Sequence, residues 1–427
     1  MRPIRHMKKV VLISSLLLIL TLSLGGGVAS KGNDTAATYE NLRLFTEVLS
    51  IVQSQYVDEV PPKDLIYNAI KGTLRGLDPH SSFLDPDMYR EMQVETSGSF
   101  GGLGIEITLR DDVLTVVAPI EGTPAYRAGI QPGDRILKIE GLSTKDMQLA
   151  DAVKRMRGKP GSKITVTIVR EGWTEPKDFL ITREQIRVQS VKNNQLEPGI
   201  EYIRLRQFQE QTSNDLETAL EKYAKEGKIQ GLVLDLRNNP GGLLTSAVEV
   251  TEKFLEPGKL VVYTEGRVRN QNMRFSSNAK RAFTDFPVVV LVNQGSASAS
   301  EIVAGALQDW GRAVVLGTQS FGKGSVQTII PLSDGSGLRL TTAKYFTPKG
   351  RSIHGKGITP DIVVEGPKTT AAVSGEGGAT PTPPPAAETP QEQLKRDPQL
   401  QRALDLLKAM KILDKSRPTG NPQAQAR

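Results

Sequence analysis

The sequence contains no cysteine and only three histidines among its 427 residues. Without cysteine, disulfides, thiol nucleophiles and a lipid-anchored cysteine are excluded. A Ser-His-Asp triad would have to use His80 or His354, since His6 lies in the N-terminal segment, and a two-histidine zinc site would need both. Neither histidine has a recognisable catalytic partner beside it. We therefore expect chemistry without imidazole, metal or cofactor.

Acidic residues are missing from the first thirty positions, which carry four of the basic ones. Much of the net charge of +7 therefore belongs to residues 1–30, and a nucleic-acid partner is not expected. A long apolar run, Val10–Leu24, follows the basic start and leads into small residues. The pattern is typical of a secretory signal. Residues 10–29 would also span roughly 30 Å as a helix, enough for an inner-membrane anchor. Either way, the body is expected to be exported to the periplasm or another extracytoplasmic space.

Apolar residues recur at helical spacing between Tyr39 and Gly76, with a break at Pro61-Pro62. Residues 35–96 are therefore predicted to form an N-terminal helical region. It serves either as a helical cap or as a contact between subunits. Its last part, residues 77–96, is expected to pack on the core domain.

From about residue 97 the pattern changes to short strands. The runs Ala128-Gly129-Ile130 and Pro132-Gly133-Asp134-Arg135-Ile136 give residues 97–185 a strong resemblance to a PDZ domain. The resemblance implies that a peptide C-terminus adds as a strand beside residues 104–107. Its carboxylate would lie on the backbone N–H groups of Leu103, Gly104 and Ile105.

Strands and helices alternate from residue 186 to residue 366, which predicts an α/β core domain. Among its elements we predict a helix over residues 212–226 and strands over 288–292 and 313–317. Residues 367–390 are rich in Ala, Thr, Pro and Gly and are predicted to be a flexible linker. Residues 391–427 contain a final amphipathic helix, about residues 398–412. It packs on the body, packs on another subunit or stays free.

A small, hydroxyl-rich turn follows the apolar strand Val288–Val292 and leads into a helix. A serine in such a turn is exposed at the strand end, where helix N–H groups point at the group it attacks. The turn geometry alone does not choose among Ser296, Ser298 and Ser300.

With histidine set aside, a nucleophilic serine needs another base, and lysine is the known substitute. Lys323 lies 25 residues after Ser298, between two glycines and beside Phe321, without adjacent carboxylates. These surroundings suit the lowered pKa that a lysine base requires. Gln327, four residues on, would share a face with Lys323 and orient the amine.

A glycine pair, Gly241-Gly242, follows the strand that ends near Asp235. Free backbone N–H groups there would form an anion pocket and, with the N–H of Ala299, an oxyanion hole. The pattern does not decide which glycine donates.

The run Gly317–Gly324 nearly matches a phosphate-binding P-loop, but Gly324 stands where the motif needs Ser or Thr. A β-branched, strand-like segment follows instead of a helix. An NTPase is therefore rejected.

Taken in order, the motifs of residues 40–365 resemble those of the C-terminal processing peptidases. These motifs are Leu77–Ser81, the PDZ signature, Asp235–Gly242, Gly295–Glu301 and Phe321–Gly324. The resemblance implies a ClpP/crotonase-like α/β core with Ser298 as nucleophile, Lys323 as general base and Gln327 as its orienter. It also implies an oxyanion hole from Gly241, Gly242 and Ala299. Pro240 departs from the family, since many members carry a third glycine there.

The function expected from these features is that of an exported serine endopeptidase. Its PDZ domain would recognise apolar C-terminal tails of protein or peptide substrates and either feed them to the dyad or gate it. A homo-oligomer through the terminal helices and a regulatory adaptor are further expected partners. The alternative is a non-catalytic PDZ scaffold on a degenerate hydrolase core, whose effect would survive Ser298→Ala.

Overall fold

The computed structural model describes residues 30–227, 229–366 and 390–416. The predicted signal or anchor over residues 1–30 lies almost wholly outside this range. So do the linker predicted over residues 367–390 and the last residues of the chain. Within the described residues, no helix combines the length and apolarity that crossing a bilayer requires.

The N-terminal unit ends at Phe83 and contains two helices, α1 (Ser30–Gln55) and α2 (Pro62–Arg75). Pro62 opens α2, a position where its missing N–H costs nothing. Leu74 is buried, and Tyr67 meets Phe83 edge-on. The predicted pair of helices with a proline break is confirmed.

The second unit begins at Leu84, inside the short strand β1 (Ser82–Leu84). Helix α3 (Pro86–Ser97) is capped by Asp85, whose carboxylate accepts the N–H groups of Asp87 and Met88. The chain then enters a small β domain with these elements: β2 (Ser99–Gly102), β3 (Ile105–Arg110), β4 (Val113–Pro119), α4 (Pro124–Arg127), β5 (Arg135–Ile139), β6 (Leu142–Ser143), α5 (Leu149–Met156), β7 (Lys163–Val169), β8 (Lys177–Thr182) and β9 (Glu184–Arg187).

The main sheet of this domain has the order β3-β4-β5-β7-β8, while β2 pairs with β9. Alternate residues of β7 face a core of Ile, Val and Leu side chains. Arg183 ties helix α5 to the sheet because its guanidinium donates to the carbonyls of Arg155 and Met156. These carbonyls end the helix and have no partner within it.

The core domain follows. Its elements are β10 (Val191–Glu197), β11 (Ile200–Leu205), α6 (Thr212–Glu226), β12 (Gly231–Asp235), α7 (Leu244–Glu252), β13 (Leu260–Gly266), β14 (Arg274–Ser276), β15 (Val288–Val292), α8 (Ala299–Asp309), β16 (Ala313–Gly317), β17 (Ser325–Pro331), β18 (Gly337–Phe346), β19 (Ile362–Val363), α9 (Pro390–Arg396) and α10 (Pro398–Ser416).

The central sheet has the order β10-β11-β12-β15-β16-β19, parallel except for the first pair. Its inner strands are apolar throughout because both faces are covered. Alternate residues of β12 and β15 pack with helices α6, α7 and α8 on one face. The others pack with leucines of α10 on the opposite face. A second, antiparallel sheet contains β17, β18, β13 and β14.

The helix predicted over residues 212–226 and the strands predicted over 288–292 and 313–317 are confirmed with those bounds. The predicted C-terminal helix extends to Ser416, and its leucines pack on the body of the protein. Within the core domain, strands β10, β14 and β19 were not predicted. They are short or lie at sheet edges, where alternation is weak.

Candidate active site

The serine-bearing turn joins β15 to α8. Ser298 immediately precedes the helix with φ 58° and ψ −112°, a conformation rare for a residue with a side chain. Such a backbone costs on the order of 1–3 kcal/mol and persists only where its surroundings enforce it. The turn therefore holds Ser298 in a strained, projecting position at the strand end.

The three serines of this turn have different surroundings. Ser296 Oγ donates to the Leu236 carbonyl at 2.8 Å, and Ser300 Oγ donates to the Asn239 carbonyl at 2.9 Å. Both are fully buried, whereas Ser298 is half-buried and lines a cleft. Of the three hydroxyl groups, that of Ser298 is therefore the one that faces the cleft.

The glycine turn after β12 lies against the serine turn. Asn239 connects the two, because its backbone carbonyl accepts the Ala297 N–H at 3.0 Å as well as the Ser300 hydroxyl. A Cβ on Gly241 would lie 2.8 Å from the Cβ of Ser298, so only glycine fits there. The two predicted halves of the site are therefore in contact.

The backbone donors of this region are not equivalent. The Gly241 N–H donates to the side-chain oxygen of Asn239 at 2.9 Å. The N–H groups of Gly242 and Ala299 donate to no acceptor in the described part of the chain. Both residues line the cleft beside Ser298.

Lys323 lies between β16 and β17 and lines the same cleft, half-buried. Burial lowers the pKa of Lys323, and the positive charge of Arg339 lowers it further. Phe321 was expected to contribute to this burial, but it is 62% exposed. The cleft walls bury the amine instead.

Gln327 lies in the same cleft but bonds elsewhere, since its amide donates to Ser325 Oγ at 2.8 Å. No hydrogen bond joins Lys323 Nζ to Ser298 or to Gln327 among the described residues. The three predicted side chains thus share one cavity without being linked in this structure.

Glu301 was not among the predicted site residues, although the Ser-x-x-Glu spacing is that of a capping box. Its carboxylate is fully buried and accepts four hydrogen bonds of 2.5–2.9 Å. The donors are the N–H groups of Ser298, Gly322 and Lys323 and the hydroxyl of Ser320. Burial raises the pKa of Glu301, and the four donors oppose that rise. One carboxylate therefore joins the serine turn to the lysine segment.

The cleft has a volume of about 390 Å³ and contains Tyr345 as a further unpredicted polar residue. Much of its wall is apolar, from side chains on α3, at the start of α7, on α8 and on β17: Met92, Leu243, Leu244, Ile302, Val326 and Ile329. Such walls suit apolar side chains of an extended peptide.

A second groove, of about 210 Å³, lies in the small β domain between β3 and α5. The predicted residues Leu103, Gly104 and Ile105 all line it, with Val153 on the helix side. Gly104 has φ +75°, and a Cβ there would overlap Thr123. Strand β3 is at the edge of its sheet in the described residues, so one side remains open to an added strand.

His354 is exposed and does not line the cleft, and His80 belongs to the N-terminal unit. In the described part of the chain, no group of three or more His, Asp or Glu residues is arranged to hold a metal ion.

Comparison with known proteins agrees with this geometry. Residues 199–364 match the model of peptidase family S41, and residues 115–170 match a PDZ domain. A carboxy-terminal-processing protease of Bartonella bacilliformis is 50% identical over 78% of this chain and 77% of its own length. A carboxyl-terminal-processing protease of Synechocystis is 43% identical over 70% of this chain and 71% of its own length. The solved photosystem II D1 C-terminal processing protease is 32% identical, with a TM-score of 0.43, over 75% of this chain and 92% of its own.

An α/β core with a projecting serine, joined to a PDZ domain, defines a PDZ-containing serine peptidase. The chain belongs to peptidase family S41, the family of the carboxy-terminal processing proteases. The predicted resemblance, fold class and enzyme class are confirmed.

Glu301→Gln tests the role of the buried carboxylate. The amide replaces an acceptor oxygen by an NH₂ group, so backbone donors lose their partner at about 1–3 kcal/mol each. We expect a lower melting temperature and a fall in peptide cleavage of about tenfold or more. Thermal unfolding and steady-state cleavage measure both. Glu249→Gln, on the exposed face of α7, is the control, and wild-type cleavage by Glu301→Gln would contradict the assignment.

Proposed function

We propose that this peptidase cleaves proteins at their C-terminal tails by a Ser298/Lys323 dyad. Ser298 attacks the peptide carbonyl while the neutral Lys323 amine takes its proton and later returns it to the leaving amine. The observation that carries the proposal is the shared cleft. There the half-buried serine, the half-buried lysine and the glycine turn meet.

The oxyanion is assigned to the N–H groups of Gly242 and Ala299. The Gly241 N–H is engaged by Asn239 and Pro240 has none, which leaves these two cleft donors without an acceptor. Donors of this kind typically contribute 10²- to 10³-fold in rate. Gln327 is proposed to orient the lysine amine once a peptide is bound, since both side chains line the cleft.

Ser298→Ala and Lys323→Ala are both expected to abolish cleavage of an unfolded protein with an apolar C-terminal tail. Binding of the tail should remain, because neither change alters the PDZ groove. Cleavage is followed by mass spectrometry and binding by fluorescence anisotropy. Lys356→Ala, an exposed lysine, should behave as wild type. Near-normal turnover by Lys323→Ala would remove the lysine from the mechanism, and an unaltered biological effect of Ser298→Ala would favour a scaffold.

A lysine base imposes a pH dependence with a defined sign. The amine is active only when neutral, so kcat/KM rises as pH rises through the pKa of Lys323, which lies below its usual range. Arg339→Gln removes a positive charge that depresses this pKa. The acid limb of kcat/KM should therefore move to higher pH. Lys344→Gln, an exposed change in the same strand, should leave it in place. A limb that stays or moves to lower pH after Arg339→Gln argues against this base.

The PDZ groove is proposed to receive the apolar C-terminus of the substrate as a strand beside β3. The open edge of β3, the positive φ of Gly104 and the apolar groove support this assignment. The bound tail either is fed to the dyad or opens access to it. Comparing the cleavage of one peptide with and without a separate tail peptide distinguishes the two.

Val153→Arg places a charge in the groove and is expected to weaken tail binding at least tenfold. Binding of a labelled apolar-tailed peptide is measured in the Ser298→Ala background, so that no cleavage intervenes. Asp151→Arg makes a comparable change on the exposed side of α5. Equal affinity of both variants would place the tail elsewhere.

The enzyme is further proposed to act outside the cytoplasm. Support comes from the basic start and apolar run of residues 1–30. Fractionation of cells that express the chain with and without this segment distinguishes export from retention, and the mass of the exported form distinguishes signal from anchor.

We also propose that α1 is a contact between two copies of the chain. Tyr39, Leu42, Leu44, Phe45 and Val48 are large apolar residues of this helix that are exposed. Sedimentation equilibrium at several concentrations measures the association. A monomer at all concentrations would contradict this contact and would favour an adaptor as the partner of α1.

A further inference from the structure

Tyr345 lies on β18 and is only 3% exposed, yet it lines the same cleft as Ser298 and Lys323. The ring belongs to the main hydrophobic core, together with Val303 and Ile353. The side chain therefore places one polar atom at the junction of the core and the cleft.

Tyr345 contacts the lysine segment through two hydrogen bonds. Its phenol donates to the backbone carbonyl of Lys323, and its backbone N–H donates to the Gly324 carbonyl at 3.1 Å. The strand thus holds both peptide groups next to the lysine side chain.

Ser298 also lies beside the phenol in this cleft. Both residues line the cleft, and the nearby Ser298 side chain is the one interaction that lowers the pKa of this tyrosine, against a larger rise caused by burial. The net rise keeps the phenol neutral at working pH, so it is not a base. Because its single proton is donated to the Lys323 carbonyl, the phenol oxygen is left as an acceptor for the Ser298 hydroxyl.

We propose that Tyr345 is a positioning residue of this peptidase, whose phenol bridges the Lys323 carbonyl and the Ser298 hydroxyl and so sets the spacing of the two reacting groups. The inference rests on the proposed dyad. It assigns a residue from a third segment, β18, to the site, in addition to the turn and the loop that carry the dyad.

A purely structural role would not require the hydroxyl. Phenylalanine would fill the same volume, and a buried hydroxyl costs free energy unless it is hydrogen-bonded. Buried tyrosines commonly find one acceptor. Tyr345 is distinctive because its acceptor belongs to the lysine of the dyad and its neighbour in the cleft is the serine of the dyad.

Tyr345→Phe keeps the ring and removes the hydroxyl. We expect kcat to fall about 10- to 100-fold with KM nearly unchanged, since a small misplacement of reacting groups has effects of this size. A fluorophosphonate probe reports the same step without the substrate tail. It should label all Tyr345→Phe sites eventually, but at a rate reduced by a similar factor.

The labelling experiment separates the possible outcomes. Complete labelling at a slow rate supports the bridge. Labelling at the wild-type rate overturns the bridge. This holds also when only a fraction of the sites is labelled, because a reduced fraction at a normal rate reports misfolding alone. Tyr263→Phe, on the neighbouring strand and stacked on Phe346 at 5.1 Å, is the matched control and should label at the wild-type rate. Wild-type protein that neither labels nor cleaves would instead refute the proposed dyad.

Discussion

The buried carboxylate of Glu301 is the interaction on which the geometry of the cleft depends. Moving a carboxylate out of water is costly unless donors replace the lost hydration. All four of its donors belong to two segments, the start of α8 and residues 320–323. Displacing either segment would leave the buried carboxylate without some of its donors. The strained backbone of Ser298 and the position of Lys323 are therefore stabilised together.

The parallel sheet explains why these segments meet at all. Strands β12, β15 and β16 are neighbours, and their carboxyl ends lie at one edge. The glycine turn follows β12, the serine turn follows β15, and the lysine segment follows β16. Each strand therefore delivers one part of the site, and Asn239 and Glu301 join the parts by hydrogen bonds between adjacent turns.

Regular elements and local motifs could be predicted because their signals are local. The strand Val288–Val292 is a continuous β-branched and leucine run, and its bounds follow from composition. Ser298 could not be chosen from the turn sequence alone. The hydroxyls of Ser296 and Ser300 donate to the carbonyls of Leu236 and Asn239, which lie about 60 residues earlier in the chain. Glu301 could have been found by its capping-box spacing. Tyr345 gave no signal, because strand alternation shows a face but not which face meets a cleft.

The burial of Lys323 also depends on contacts that are distant in the sequence. Its lowered pKa was expected from flanking residues, but Phe321 points to solvent and the desolvation comes from the walls of the cleft. A sequence shows that no carboxylate adjoins the lysine in the chain. It does not show that Arg339, sixteen positions on, lies near enough to act on the amine.

The C-terminal helix α10 supports the glycine turn from the opposite face of the sheet. Arg237, which immediately precedes the glycine turn, is buried between Asp235 of β12 and Asp397 at the start of α10, and it also donates to Gln399. Breaking a buried ion pair by removing one partner costs about 3–5 kcal/mol. Leu400, Leu404 and Leu407 add the apolar contact beneath it. Helix α10 is thus a layer of the core domain, and it supports the turn that supplies the proposed oxyanion donor.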